Sequence, residues 1–406
     1  MIPAISTTYR RYALALLLAV NLLNYIDRQV LYAVFPLVKS ALALSDTALG
    51  LLGSSFMVVY MLTAPLFGWL GDRGSRTRLA AGGLGIWSLA TMGGGVAAGY
   101  GQLLAARSLV GVGEASFGTV SPGLVADFFP RERRGQVLSW FYLAIPVGSA
   151  LGYLLGGVIG QHFGWQAAFL MVGAPGLLLA VPLARLRAPD GPVRTTEAGG
   201  SYRGLFANRT FVLNTLAMAA MTFALGGLAQ WMPTFLFRMH QLDVARGNTL
   251  FGGITVVAGI AGTLAGGWLG DRLQRRRPDG YLLVSGAGFL LALPLAALAI
   301  MTDSRQLCLV GIFLAELCLF LNTGPLNTVI VNVTRRRVRA MAFAVNIFFI
   351  HALGDAISPT LIGMLSDHWG LRRALLATVA AVALAALFCF ACGRRVEADL
   401  VTDEGQ

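Results

Sequence analysis

Gly68-Trp69-Leu70-Gly71-Asp72-Arg73 recurs as Gly267-Trp268-Leu269-Gly270-Asp271-Arg272, 199 residues later in a chain of 406. Each copy closes an apolar run, so the repeat marks the same end of two equivalent helices and points to a duplicated fold. Other landmarks follow at slowly growing offsets. Glu114 matches Glu316 at 202, Pro122 matches Pro325 at 203, the arginine cluster from Arg131 matches that from Arg335 at 204, and Gln161-His162-Phe163-Gly164 matches Asp367-His368-Trp369-Gly370 at 206. Small insertions after a duplication leave such a drift.

The duplicated unit is membranous. Charged residues make up 12% of the chain and hydrophobic ones 56%, whereas a soluble domain carries about 25% charged residues. Twelve segments reach the roughly 20 apolar residues that a spanning helix needs. They are 11–38, 46–70, 79–98, 102–126, 136–160, 165–186, 209–237, 246–270, 281–301, 306–333, 340–364 and 371–393. The expected fold is an all-α membrane protein with twelve transmembrane helices in two six-helix bundles, 1–186 and 209–393, related by an axis along the membrane normal. A polar linker at 187–208, rich in Gly, Pro, Thr and Ser, joins them, and an acidic tail at 394–406 follows. Gly148, Gly152 and Gly156, spaced by four, place small residues on one helical face, where membrane helices approach closely.

Charge distribution excludes several functions. The net charge is +12, yet the cations sit almost entirely in short loops, which argues against nucleic acid as the partner. Only Lys39 among the 31 basic residues is a lysine, so no Walker-type phosphate loop is present and no nucleotide drives a pump. Twenty-three of the basic residues lie on the N-terminal side of the membrane, six on the other and two, Arg28 and Arg107, within it. Both termini are therefore expected in the cytoplasm. The first apolar run is too long for a signal-peptide core and lacks a cleavage site, so it is read as the first membrane helix. Cys308, Cys318, Cys389 and Cys392 fall in apolar segments and read as packing residues; neither a metal site nor a cofactor is expected. No HExxH or GxSxG constellation supports an intramembrane enzyme, and a receptor or scaffold would bind a ligand without accumulating it.

Asn24-Tyr25-Ile26-Asp27-Arg28 interrupts the first apolar run with adjacent opposite charges. A charge near the bilayer centre costs at least about 2.5 to 3.5 kcal/mol on insertion scales, so such residues face a protein interior or a wet cavity and mark a pathway. At about 1.5 Å per residue, Asp27, Arg28, Glu114, Glu316 and Asp355 all fall in one layer near the midplane. Asp27, with Arg28 and Glu114, is the expected proton-coupling group, because an arginine moving toward or away from a carboxylate changes its proton affinity; a permanent structural ion pair is the alternative. Arg107 lies two turns from Glu114, as an anion-binding group or as a side chain reaching for the surface. His351 and Asp355, four apart, would share a helix face as a pH-sensitive pair, and two ligands without a third make no metal site. Asn214, Gln230, Trp231 and Asn322 are candidate cavity-lining groups, and Pro146, Gly148 and Gly152 a flexible point.

These residues resemble the major facilitator superfamily over the whole chain. Gly68-x-x-x-Asp72-Arg73-x-x-Arg76, with its second copy at Gly267–Arg276, looks like the loop signature between its second and third helices, and Arg107-x-x-x-Gly111-x-Gly113 looks like its fourth-helix signature, with Val110 where a polar residue is common. Within the superfamily the chain is similar to the spinster family of lipid transporters. Tyr25-Ile26-Asp27-Arg28, Arg107–Ser116, Ala126-Asp127-Phe128-Phe129 and Ser139–Tyr153 carry that similarity, and Trp231-x-Pro233-x-Phe235-Leu236 carries it in the second half.

The resemblance implies alternating access by a monomer rocking one bundle against the other, coupled to protons. The implied substrate is a lysolipid or sphingoid phosphate, bound among Arg28, Arg107, Glu114, Trp231, Glu316, Asn322, His351 and Asp355. It makes Asp72, Arg73, Arg76 and Asp127, with Asp271 and Arg272 in the second copy, a cytoplasmic gate. Compact loops and arginine-rich composition suggest the inner membrane of a bacterium. A drug or organic-anion exporter, or an uncoupled facilitator, is the alternative within the superfamily.

Overall fold

The computed structural model describes residues 6–187, 202–335 and 338–400, and its regular elements among them are all helical. The greater part of the expected linker (188–201), the end of the tail (401–406), Arg336 and Arg337 lie outside the described residues, as does the side chain of Arg131.

Twelve long segments are present among the described residues: α1 (Thr7–Ala33), α2 (Asp46–Arg73), α3 (Arg76–Gly95), α4 (Tyr100–Phe128), α5 (Gln136–Phe163), α6 (Trp165–Ala184), α7 (Arg209–His240), α8 (Val244–Gln274), α9 (Gly280–Met301), α10 (Arg305–Val333), α11 (Met341–Trp369) and α12 (Leu371–Gly393). Eleven are long and apolar enough to cross a membrane. The exception is α3, whose 20 residues include six glycines and two arginines that dilute its hydropathy. It packs between α4 and α6, and Gly83 and Gly95 serve close helix contact, for which lipid supplies no hydrophobic drive.

The chain divides into two compact units, Met1–Thr195 with Leu242–Gly252 and Thr196–Gln241 with Gly253–Gln406. In the first, α1 packs on α5, α2 on α4, and α3 on both α4 and α6. The α1–α5 contact runs along the Gly148/Gly152/Gly156 stripe. A Cβ at Gly152 would lie 2.6 Å from the Ile26 carbonyl oxygen and 2.8 Å from Gln29 Cβ. Glycine there lets α5 press against the turn of α1 that carries Asp27 and Arg28. In the second unit, α7 packs on α11 and α12, and α9 on α10 and α12.

In α5, α10 and α11 the helix breaks one turn before a proline. Proline lacks the N–H that the carbonyl four residues earlier would accept from. Pro146 frees Tyr142, where α5 is interrupted at Leu143. Pro325 frees Leu321, where α10 turns through Leu321–Asn322, and Gly266 of α8 lies against that carbonyl so closely that no Cβ could fit. Pro359 frees Asp355, at the end of a π-turn, His351–Asp355, in which Gly354 leaves helical geometry at φ −101°, ψ −106°.

Candidate functional site

In the first unit, Asp27 and Arg28 of α1 form two separate ion pairs with Arg107 and Glu114 of α4. Adjacent helical residues point about 100° apart, so Asp27 and Arg28 face different neighbours. Asp27 accepts from Arg107 Nη1 at 3.4 Å and from Thr91 Oγ1 of α3 at 2.5 Å. Arg28 Nε donates to Glu114 Oε2 at 2.6 Å. Arg107 and Glu114, seven residues apart, occupy one face of α4, two turns from each other. The sequence grouped Asp27 and Glu114 around Arg28; the structure gives each carboxylate its own arginine.

Aromatic rings join the pairs. Phe56 of α2 lies 5.1 Å from the Arg28 guanidinium and 5.4 Å from that of Arg107, and Tyr25 and Tyr60 lie 5.1 and 5.3 Å from Arg28. Such ring faces stabilise a cation where water is scarce. Glycine sets the geometry, since a Cβ at Gly111 would meet the Phe56 carbonyl oxygen at 2.5 Å. Thr91 and Phe56 were missed in the sequence: a threonine in a glycine-rich helix and a phenylalanine in an apolar one carry no signal of their own.

Burial is uneven across the two pairs. The Arg107 side chain is 1% exposed and Asp27 3%, whereas Arg28 reaches 18% against 0% for Glu114. Arg107 is therefore interior and does not reach for the surface. Arg107 Nε and Nη2 and Glu114 Oε1 have no hydrogen-bond partner among the described residues. A buried ion pair is stabilised only when its remaining donors and acceptors are satisfied, so this constellation is open to rearrangement.

Among its described residues, the second unit does not repeat this arrangement. Glu316 is buried, accepts from Thr255 Oγ1 at 3.1 Å and makes no ion pair among the described residues. At the 199-residue offset, Thr255 stands at the position of Phe56, and Gly226 and Gly227 at those of Asp27 and Arg28. A Cβ at Gly226 would lie 2.6 Å from Asp355 Cβ, so α11, not α7, brings a carboxylate to this level. His351 Nδ1 pairs with Asp355 Oδ1 at 2.9 Å across the π-turn. Trp231 is fully buried and donates from Nε1 to the Pro359 carbonyl at 3.0 Å, Asn214 donates to the Leu326 carbonyl at 3.1 Å, and Asn322 donates to the Leu319 carbonyl at the α10 break. Gln230 is buried beside Trp231 in sequence.

The duplicated hexapeptides keep one contact and differ in another. Arg73 stacks on Trp69 at 4.3 Å and Arg272 on Trp268 at 5.5 Å. In the first copy Arg76 Nη1 donates to Asp127 Oδ2 at 2.8 Å, with Asp72 exposed nearby in sequence. In the second, Asp271 accepts from the Tyr281 hydroxyl at 2.8 Å.

Twelve long helices, internal duplication and ion pairs buried along the spans define a multi-pass membrane transporter. A family model described as Major Facilitator Superfamily matches residues 17–359. Protein spinster homolog 3 of Danio rerio is 36% identical over 384 residues, covering 87% of this chain and 76% of that protein. Protein spinster homolog 1 of Homo sapiens is 36% identical over 391 residues, covering 88% and 73%. A crystal structure of a bacterial homolog to the human lysosomal transporter spinster, inward-facing and unoccupied, superposes with a TM-score of 0.90 at 26% identity, over 98% of this chain and 100% of that one. A D-xylose–proton symporter shares the fold, with a TM-score of 0.76 at 16% identity, over 95% and 98%. The chain belongs to the spinster family of the major facilitator superfamily. It is accordingly a transporter and not an enzyme.

Proposed function

We propose that this transporter moves a lipid-like or amphipathic substrate, of the lysolipid or sphingoid-phosphate type, by alternating access coupled to protons. The observation that carries the reading is the Arg28–Glu114 pair, in which the cation is partly exposed and the carboxylate wholly buried. A substrate phosphate reaching Arg28 competes with Glu114 for the guanidinium. Glu114, losing its counter-charge in a dry site, then takes up a proton. Asp27, held by Arg107 and Thr91, is the second carboxylate able to exchange a proton as the helices shift, and Glu316 and the His351–Asp355 pair are candidate substrate contacts in the second unit. The protein works as a monomer in the inner membrane of a bacterium, with both termini cytoplasmic.

Purified protein in sealed liposomes is expected to move lysophosphatidic acid faster when a pH gradient is imposed, by at least about tenfold. Flux that is unchanged when the gradient is collapsed would make the protein an uncoupled facilitator, and transport of organic anions without lysolipid would favour the exporter.

Asp72, Arg73, Arg76 and Asp127, with Asp271 and Arg272, serve as the cytoplasmic gate in this reading. Arg76→Gln and Asp127→Asn should each increase labelling of cysteines introduced on the cytoplasmic side of the pathway. The double variant should add little to either, because both singles remove the same half-buried pair, whose coupling is about 1 kcal/mol. Additive labelling in the double variant would mean that the two residues act apart.

A further inference from the structure

A cavity of about 460 Å³ opens between the start of α9 and the end of α12, away from the buried ion pairs. Its lining is divided by chemistry. Leu282, Leu283, Cys389 and Phe390 make an apolar floor, and Arg277, Asp279 and Arg394 stand at the rim with Gly393. Arg277 is bound to Asp279 by two hydrogen bonds, Nε to Oδ1 at 2.9 Å and Nη2 to Oδ2 at 3.0 Å. Asp279 is thereby neutralised. Arg394 is exposed and makes no hydrogen bond or ion pair among the described residues. The rim therefore carries one positive charge beyond the Arg277–Asp279 pair, and exposed Arg275, Arg276 and Arg395, with one exposed acid, Glu397, neighbour it in sequence.

The cavity's place in the fold decides what would fill it. Both bordering helices are long and apolar enough to span a membrane, and the rim stands where those apolar spans end. An apolar floor between two spanning helices and a cationic rim at their ends match a lipid whose phosphate is anionic, since basic pockets between membrane helices bind such headgroups. The volume lies in the range of small-molecule sites, enough for a headgroup, its glycerol and the first methylenes of the acyl chains.

We propose that this cavity binds an anionic phospholipid of the surrounding bilayer, its phosphate on Arg394 and its acyl chains on Leu283 and Phe390, as a bound partner distinct from the transported substrate. Gly393 allows the entry: a Cβ there would meet only Asp279 and Leu282, at 3.6 to 4.0 Å, so a larger side chain at 393 projects into the cavity.

The test is native mass spectrometry and thermal unfolding of the delipidated full-length protein, titrated with phosphatidylglycerol, phosphatidylcholine or inorganic phosphate. Phosphatidylglycerol is expected to remain bound and to raise the unfolding midpoint, while phosphatidylcholine and phosphate leave it unmoved. Arg394→Gln should weaken phosphatidylglycerol binding about fivefold without changing the midpoint in lipid-free detergent. Gly393→Phe should abolish the binding by occupying the space. Equal effects of the two lipids would overturn the proposal by removing the role of charge, and stabilisation by inorganic phosphate alone would assign the rim to a free anion. If Gly393→Phe does not fold, Arg394→Gln decides, and wild-type affinity in that variant sinks the idea.

Discussion

Asp27→Asn is expected to abolish gradient-driven accumulation of lysolipid, by at least about tenfold, while exchange without a gradient persists. Asparagine has the shape of aspartate and keeps one oxygen for Arg107, while its amide nitrogen replaces the oxygen that accepts from Thr91 and can donate to that hydroxyl instead, so the packing of α1 against α3 and α4 survives. The charge and the exchangeable proton do not. Arg107, 1% exposed and with two nitrogens already lacking partners, then stands in the interior without a counter-ion. Removing one member of a buried pair costs about 3 to 5 kcal/mol when nothing replaces it; the amide oxygen offsets part of this, so the protein should fold with a lowered melting midpoint. Counterflow and gradient-driven uptake measured on the same liposome preparation separate the two effects. Uptake equal to wild type would reduce Asp27–Arg107 to a structural lock and turn attention to Glu316 and Asp355.

Gly113→Val is expected to destabilise the protein severely. A Cβ at 113 would lie 2.6 Å from the Gly83 carbonyl oxygen, 2.6 Å from the Trp87 nitrogen and 2.7 Å from Trp87 Cβ. Two of the three are backbone atoms, so no rotamer change relieves the clash and α3 must part from α4. Overpacking of this kind costs about 3 kcal/mol or more. It also separates Thr91, on α3, from Arg107 and Glu114, on α4. Gly85→Ala is the control: a Cβ there meets nothing within 4 Å, and alanine is the better helix former by about 0.5 to 1 kcal/mol. Melting midpoints by size-exclusion chromatography should fall steeply for Gly113→Val and hold or rise for Gly85→Ala. Similar midpoints for both would mean that the α3–α4 contact is looser than the structure has it.

Both expectations rest on features of unequal legibility. The GWLGDR repeat and the apolar runs read directly as twelve helices in a duplicated chain, because membrane insertion selects on length and hydropathy, which are local properties. The same test of about 20 apolar residues placed 79–98 among the spans, although the helix it became, α3, falls short on hydropathy. Asp27, Arg28, Arg107 and Glu114 stood out for the same reason: a charge within an apolar run is costly wherever it points.

Which charge meets which was not legible. Residues 27 and 107 are joined only because α1, α3 and α4 converge, and glycines such as Gly111 and Gly113 bring the helices that carry them into backbone contact. The same holds for what is missing in the second half. Repeat offsets paired Glu316 with Glu114, but the absence of an arginine beside it follows from Gly226 and Gly227 standing where Asp27 and Arg28 do, and from Asp355 reaching that level from α11. The sequence by itself determined the number and order of the helices and the presence of charges within them, since both follow from the chain's exchange of water for lipid. Only the tertiary structure decided the pairing, since a helical residue's partner depends on the packing and rotation of its neighbours, which no single stretch encodes.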